Sequence, residues 1–219
     1  MREKIEDIIK SHKETIQKIS DKTIDQIEEA IKAIISAFKQ GNKLIVFGNG
    51  GSAADAQHLA AEFINKFKID RDPLPAIALT TDTSAITAIG NDSGFEFIFE
   101  KQIKALGKQG DVAIAITTSD VNENHSVDVY LGLLEAREKG IKTIGLVSEK
   151  SKKILKAIDI PIVIPSKETP RIQEMHLLAY HIICELIEKE MSKNKRLHTE
   201  DDFIESTPTI LSGSSDILI

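Results

Sequence analysis

Lys43-Leu44-Ile45-Val46-Phe47-Gly48-Asn49-Gly50-Gly51-Ser52-Ala53-Ala54-Asp55 reads as an apolar strand, a glycine turn and the first turns of a helix. A strand feeding a helix through so short a turn is the opening unit of a parallel sheet flanked by helices. Glycines at that junction let the backbone approach an anion. The free N–H groups and the positive dipole end of the following helix then favour a phosphate. Ser52 is predicted to cap the helix and to donate to a phosphate oxygen.

Outward from this unit, short apolar runs alternate with amphipathic segments. Strands are predicted near 43–47, 76–79, 111–116, 142–147 and 160–164, and helices near 52–67, 84–89, 95–106, 127–139, 152–157 and 171–191. Right-handed crossovers would wind these helices onto both faces of the sheet. The fold class is therefore α/β, a doubly wound five-stranded parallel sheet of flavodoxin-like type, spanning residues 41–191. Ligands of such sheets sit outside the carboxyl ends of the strands, so the loops after Phe47, Leu79, Ile116 and Ile164 are expected to converge.

Residues 1–40 form an N-terminal helical extension, in which Ile5, Ile8, Ile9, Ile16 and Ile19, then Ile24, Ile27, Ile31, Ile34, Ile35 and Phe38, recur at helical spacing. Ser20-Asp21 divides it into two helices. Its apolar stripe needs cover, either from the domain's own sheet or from a bundle between subunits. Residues 192–219 turn polar and charged, then run through Ser212-Gly213-Ser214-Ser215, and are read as a flexible tail.

A total of 28 Lys+Arg against 34 Asp+Glu leaves a net charge of -6, so the overall field repels polyanions and nucleic acid is excluded as a main partner. The lone cysteine, Cys184, lies in an apolar run and is read as a core residue of a protein from a reducing compartment. The N-terminus lacks the apolar core of a signal peptide, and no stretch approaches the roughly 20 apolar residues of a membrane span. A cytoplasmic location without membrane partners follows as the expectation.

Gly48, Gly50 and Ala53 also fit a G-x-G-x-x-A dinucleotide fingerprint. That reading wants an acidic residue about 20 positions on, at the end of the second strand. Here that strand ends in Leu79-Thr80-Thr81-Asp82, too far along the chain. His58 and Glu62, four apart, share one face of the glycine-turn helix, and imidazole plus carboxylate suits a divalent transition metal. The last helix adds Gln173, Glu174, His176 and His181. On an ideal helix Gln173 and His181 lie about 12 Å apart along the axis and some 80° around it. They are therefore expected to serve one metal only from different subunits, or across a distorted helix.

Taken together, GNGGSAADAQHLAAEF from Gly48, PAIALTTDTSAITAIGNDSGFEFIFEKQIKALGKQGDVAIAI from Pro75 and RIQEMHLLAYHIICELIE from Arg171 resemble bacterial phosphoheptose isomerases of the sugar isomerase (SIS) domain class, over roughly residues 40–191. The resemblance implies a homotetramer that converts sedoheptulose 7-phosphate to D-glycero-D-manno-heptose 7-phosphate, feeding heptose into lipopolysaccharide or surface glycans. It implies one zinc ion per subunit on His58, Glu62, Gln173 and His181, with Glu62 as the base and His181 as its acid partner. It implies substrate contacts from Asn49, Gly50, Gly51, Asn91, Asp92, Thr117, Thr118, Ser119, Ser126 and Gln173, beside Ser52 and Glu62.

Two stretches depart from the family. Its phosphate loop runs S-T-S-G-N-S, whereas Thr117-Thr118-Ser119 is followed here by Asp120-Val121-Asn122-Glu123-Asn124-His125-Ser126, four residues longer. Asp120 and Glu123 would weaken phosphate binding unless they point away. Val147-Ser148-Glu149-Lys150-Ser151 replaces a glycine-containing loop. The same fold also includes non-catalytic proteins that bind the bacterial replication initiator, in which the positions of Glu62 and His181 are replaced; both residues stand here. An isomerase or binder of another sugar phosphate is the further alternative.

Overall fold

A computed structural model describes residues 1–123 and 125–193 of the chain. The predicted tail from residue 194 onward lies outside the described residues. Helices α1 (Arg2–Gln17) and α2 (Asp21–Lys39) precede β1 (Leu44–Gly48), α3 (Gly51–Ile64), β2 (Ala76–Ala78), α4 (Thr83–Asp92), α5 (Ile98–Leu106), β3 (Val112–Ile116), α6 (Val127–Glu138), β4 (Lys142–Ser148), β5 (Ile160–Ile164) and α7 (Thr169–Ser192). The five strands form one parallel sheet in the order β2-β1-β3-β4-β5. This is the doubly wound arrangement expected from the alternation of apolar runs and helices.

Central β1 and β3 are buried along their whole length, as continuous apolar runs covered on both faces must be. One face is filled by Ile34 and Phe38 of α2, Leu59 and Phe63 of α3, and Tyr180 and Ile183 of α7, packed on Leu44, Val46, Ile114 and Leu146. Ile98, Phe99 and Ile103 of α5 and Val129 and Leu133 of α6 cover Ile45, Phe47, Ala113 and Ala115 on the other. Chain order reverses between β1 and β3, so their following loops diverge and open a crevice at the carboxyl edge.

The break at Ser20 holds: its hydroxyl accepts from the Thr23 N–H and caps α2. The two N-terminal helices then differ. In α2, Ile31, Ile34 and Phe38 are buried against the sheet, each contributing on the order of 1.5–3 kcal/mol. In α1 only Thr15 is buried, while Ile5, Ile8 and Ile9 remain about half exposed. Three predicted helices are shorter than expected, and the one over 95–106 is α-helical only from Ile98, after a 3-10 turn at Phe95–Phe97. α3 ends at Ile64 rather than near Phe67, and the segment predicted at 152–157 is only a 3-10 turn, Ile154–Ala157.

Candidate active site

The crevice beside β1 and β3 holds a cavity of about 580 Å³, lined by Asn49, Gly50 and Ser52 after β1, by Thr117, Thr118, Ser119 and Ser126 after β3, and by Gln173 of α7. Gly50 makes the turn possible. Its φ of 54° is a left-handed conformation natural to glycine, and it occupies the N-cap of α3. Ser52, expected at the cap, therefore sits inside the first turn, buried at the cavity wall. A Cβ on Gly48 would lie 2.5 Å from the Ile116 carbonyl oxygen, so only glycine lets β1 and β3 close at this point. A Cβ on Gly51 would lie within contact distance of the Gln173 amide, which brings Gln173 to the same end of the site. The positive dipole end of α3 faces a cavity lined by the hydroxyls of Ser52, Thr117, Thr118, Ser119 and Ser126 together with the carboxylates of Glu96, Glu123 and Asp128, and the hydroxyl side of it suits a phosphate.

The lengthened loop is a hairpin closed by backbone bonds between Asn122 and His125, 3.2 Å in each direction. Asp120 does point away: its carboxylate accepts from the N–H groups of Lys153 and Ile154, and those bonds hold its pKa below the usual carboxylate range against the opposing effect of burial. Ser126 returns to the cavity, 3.0 Å from the Thr117 hydroxyl. Glu123 and His125 line the cavity mouth. The Val147–Ser151 turn buttresses this loop, since the buried Ser148 hydroxyl donates to the Thr118 carbonyl.

Further along α3, His58, Glu62 and His181 offer ligand atoms that all lie within 4.8 Å of one another. His58 Nε2 meets Glu62 Oε1 at 2.9 Å, as the four-residue spacing predicts. On the other side of the ring, Nδ1 lies 3.0 Å from the Tyr180 hydroxyl, which also reaches Asp55 at 3.3 Å. When Tyr180 donates to Asp55, His58 donates from Nδ1 and keeps the Nε2 lone pair free for a cation. His181 Nε2 is buried and has no hydrogen-bond partner among the described residues. Burial and the neighbouring His58 lower the His181 pKa, favouring the neutral ring that a metal requires, although Glu62 opposes the shift. An orphaned imidazole nitrogen beside a second imidazole and a carboxylate fits a divalent metal such as zinc.

Gln173 lines the cavity at the end of the site near Gly51. α7 runs unbroken from Thr169 to Ser192, and on a regular helix the eight-residue spacing puts Gln173 about 12 Å from His181 along the axis. Asn91 and Asp92 are exposed at the end of α4, hydrogen-bonded to each other and outside the cavity. The loop after β2 likewise stays out of the cavity lining, and its Thr80 hydroxyl donates to the Ala53 carbonyl.

Several site residues escaped the sequence reading. Asp128 of α6 accepts from the Asn49 side chain at 2.7 Å and fixes it at the turn. Burial raises the Asp128 pKa, and that hydrogen bond partly offsets the rise. Phe95 and Glu96 complete the cavity wall. Only Asp55 left a local signal, standing three residues before His58 on the same helix.

The SIS domain family model matches residues 8–148. The phosphoheptose isomerase of Geotalea daltonii is 47% identical over 196 residues, covering 90% of this chain and 100% of that protein. That of Clostridium acetobutylicum is 46% identical over 197 residues, covering 89% of this chain and 98% of that protein. Among solved structures, a phosphoheptose isomerase from Francisella tularensis superposes with a TM-score of 0.80 at 35% identity, over 85% of this chain and 97% of that one. The Neisseria gonorrhoeae phosphoheptose isomerase gives 0.78 at 36% identity, over 86% and 98%.

Proposed function

We propose, from the premise that this chain belongs to the phosphoheptose isomerases of the SIS domain family, that it converts sedoheptulose 7-phosphate to D-glycero-D-manno-heptose 7-phosphate. The observation that carries the reading is the pairing of an anion-suited turn at Gly50–Ser52 with the His58, Glu62 and His181 cluster further along the same helix. The phosphate rests against the start of α3 and the hydroxyls of Ser52, Thr117, Ser119 and Ser126, holding the far carbons in register. Glu62 lifts a proton from carbon 1, the electron pair forms a double bond between carbons 1 and 2, and the oxygen on carbon 2 takes the single ring proton that neutral His181 carries. Glu62 then returns its proton to carbon 2, while the hydroxyl on carbon 1 gives its proton back to His181, leaving the aldehyde.

His58, Glu62 and His181 would hold zinc, which supplies positive charge against the negative charge building on the two oxygens. Gln173 completes the ligand set from a neighbouring subunit of a homotetramer, a reading supported by its separation from His181 within one chain. The exposed apolar residues of α1 and of α7, Ile5, Ile8, Ile9, Leu178 and Leu186 among them, would give that assembly its contacts. A free, buried Cys184 suits the reducing cytoplasm, where the product would enter heptose-containing lipopolysaccharide or surface glycans.

The test is turnover of sedoheptulose 7-phosphate with and without zinc, beside a Glu62→Gln variant. Zinc-dependent product from the parent and none from Glu62→Gln is expected. A zinc-loaded, folded parent that makes no product removes the enzyme reading. Because Glu123 and His125 stand at the cavity mouth, a different sugar phosphate is the second reading, decided by running other ketose phosphates in the same assay.

A further inference from the structure

Outside the ligand cluster, the described residues contain a pair of charges buried far more deeply than anything in it. Arg71 and Glu188 have side chains only 3% and 1% exposed, with Nε 3.4 Å from the nearer carboxylate oxygen. A buried ion pair is a weak source of stability, because desolvating two charges offsets most of their attraction. What this pair does accomplish is geometric, since its remaining bonds all run to the backbone of one short segment.

The Arg71 guanidinium donates to the carbonyls of Glu62 at 2.7 Å, Phe63 at 2.8 Å and Asn65 at 3.3 Å, and to that of Asp72. These include the carbonyls that the end of α3 leaves without helical partners. Glu188, reaching across from α7, accepts from the N–H groups of Phe67 at 2.8 Å, Lys68 at 2.6 Å and Ile69 at 2.9 Å. One end of the pair therefore fixes the last turn of α3, which carries Glu62. The other end fixes the loop that carries Phe67. The Phe67 ring packs on His181 with centroids 5.2 Å apart. His181 Nε2 has no hydrogen-bond partner among the described residues, and the rings of Phe67, Tyr180 and His58 pack around the imidazole.

We propose that Arg71 and Glu188 are positioning residues, a buried clamp that holds Glu62 and, through Phe67, His181 in register for metal binding and proton transfer. This rests on the isomerase reading above. Neither residue touches the reacting atoms; each acts through the backbone it holds.

The experiment compares the full-length parent with Arg71→Lys, Glu188→Gln and Phe67→Leu, at a temperature where unfolding curves show each variant folded. Lysine keeps the charge but cannot span several carbonyls as the guanidinium fork does. Zinc affinity is read by competition with a chromogenic chelator, kcat and KM by turnover, and the His181 ring protons by NMR, assigned with His181→Gln. The expectation is a loss of about tenfold or more in zinc affinity and in kcat for all three variants, with KM changed less than about threefold. In Arg71→Lys and Glu188→Gln, the His181 resonances should move in the direction seen for Phe67→Leu, a shift that a merely stabilising pair would not cause.

Folded Arg71→Lys and Glu188→Gln proteins with parental zinc affinity, kcat and His181 resonances would overturn the clamp. Should neither fold, a folded Phe67→Leu with parental zinc affinity and kcat overturns it alone. A parent that neither binds zinc nor turns over sinks the isomerase reading separately, while displaced His181 resonances in Arg71→Lys would still support the clamp.

Discussion

The two ends of the candidate site are built by different means. At the proposed anion end the groups are the helix start and the hydroxyls of the cavity, held where β1 and β3 diverge and enforced by Gly48 and Gly50. At the reacting end they are side chains, His58, Glu62 and His181, brought together by the packing of α3 on α7 and oriented by neighbours such as Tyr180 and Phe67. The first depends on strand order and on the absence of Cβ atoms. The second depends on helix register, so the two ends should fail in different ways.

The largest difference is expected from Glu62→Gln, which keeps shape but removes the proposed base. Turnover should fall by about a thousandfold, while calorimetric binding of sedoheptulose 7-phosphate changes far less. Equal losses in both would mean the two ends are not separable. Next comes acid. His176, between Gln173 and His181 on α7, is wholly buried, and burial lowers its pKa from the ordinary 6.5 to about 4, with its bond to the Val147 carbonyl opposing the shift. Its folded pKa lies below the unfolded one, so its contribution is complete above pH 6.5 and is lost as pH falls toward 4. Unfolding free energy should drop by about 3 kcal/mol across that window. Denaturant curves of His176→Leu should show a flatter dependence.

Gly48→Ala ought to strike the anion end through the fold, costing about 1–3 kcal/mol because the new methyl meets the Ile116 carbonyl and Ser52 Cβ. Chemical denaturation measures this, and an unchanged midpoint would show that the strands can part there. The smallest effect belongs to Glu123→Gln. Removing an exposed carboxylate from the cavity mouth should lower KM by up to about fivefold at low salt, fading as salt rises.

This contrast also explains what was legible in the sequence. Strands β1 and β3, the break at Ser20 and the His58–Glu62 pairing all follow from periodicity over a few residues. The glycine turn was legible too, yet its detail was not: a positive φ at Gly50 places the cap there, two positions before the expected Ser52. Asp128 holding Asn49, and Tyr180 joining Asp55 to His58, depend on how separate elements dock, and no local spacing encodes that. The 152–157 segment has too few residues to sustain an α-helix and settles as a single 3-10 turn.

The Asp120–Ser126 hairpin is moored at both ends, by Asp120 on the amides of Lys153 and Ile154 and by Ser126 on Thr117. Between those moorings the chain carries Glu123 and His125 past the cavity, while Thr117 and Ser126 stay 3.0 Å apart below it. Because Glu123 and His125 stand on that span, a change in its length or charge would alter the pocket's entrance while the moorings stay fixed, which makes it the part of this site most open to deliberate redesign.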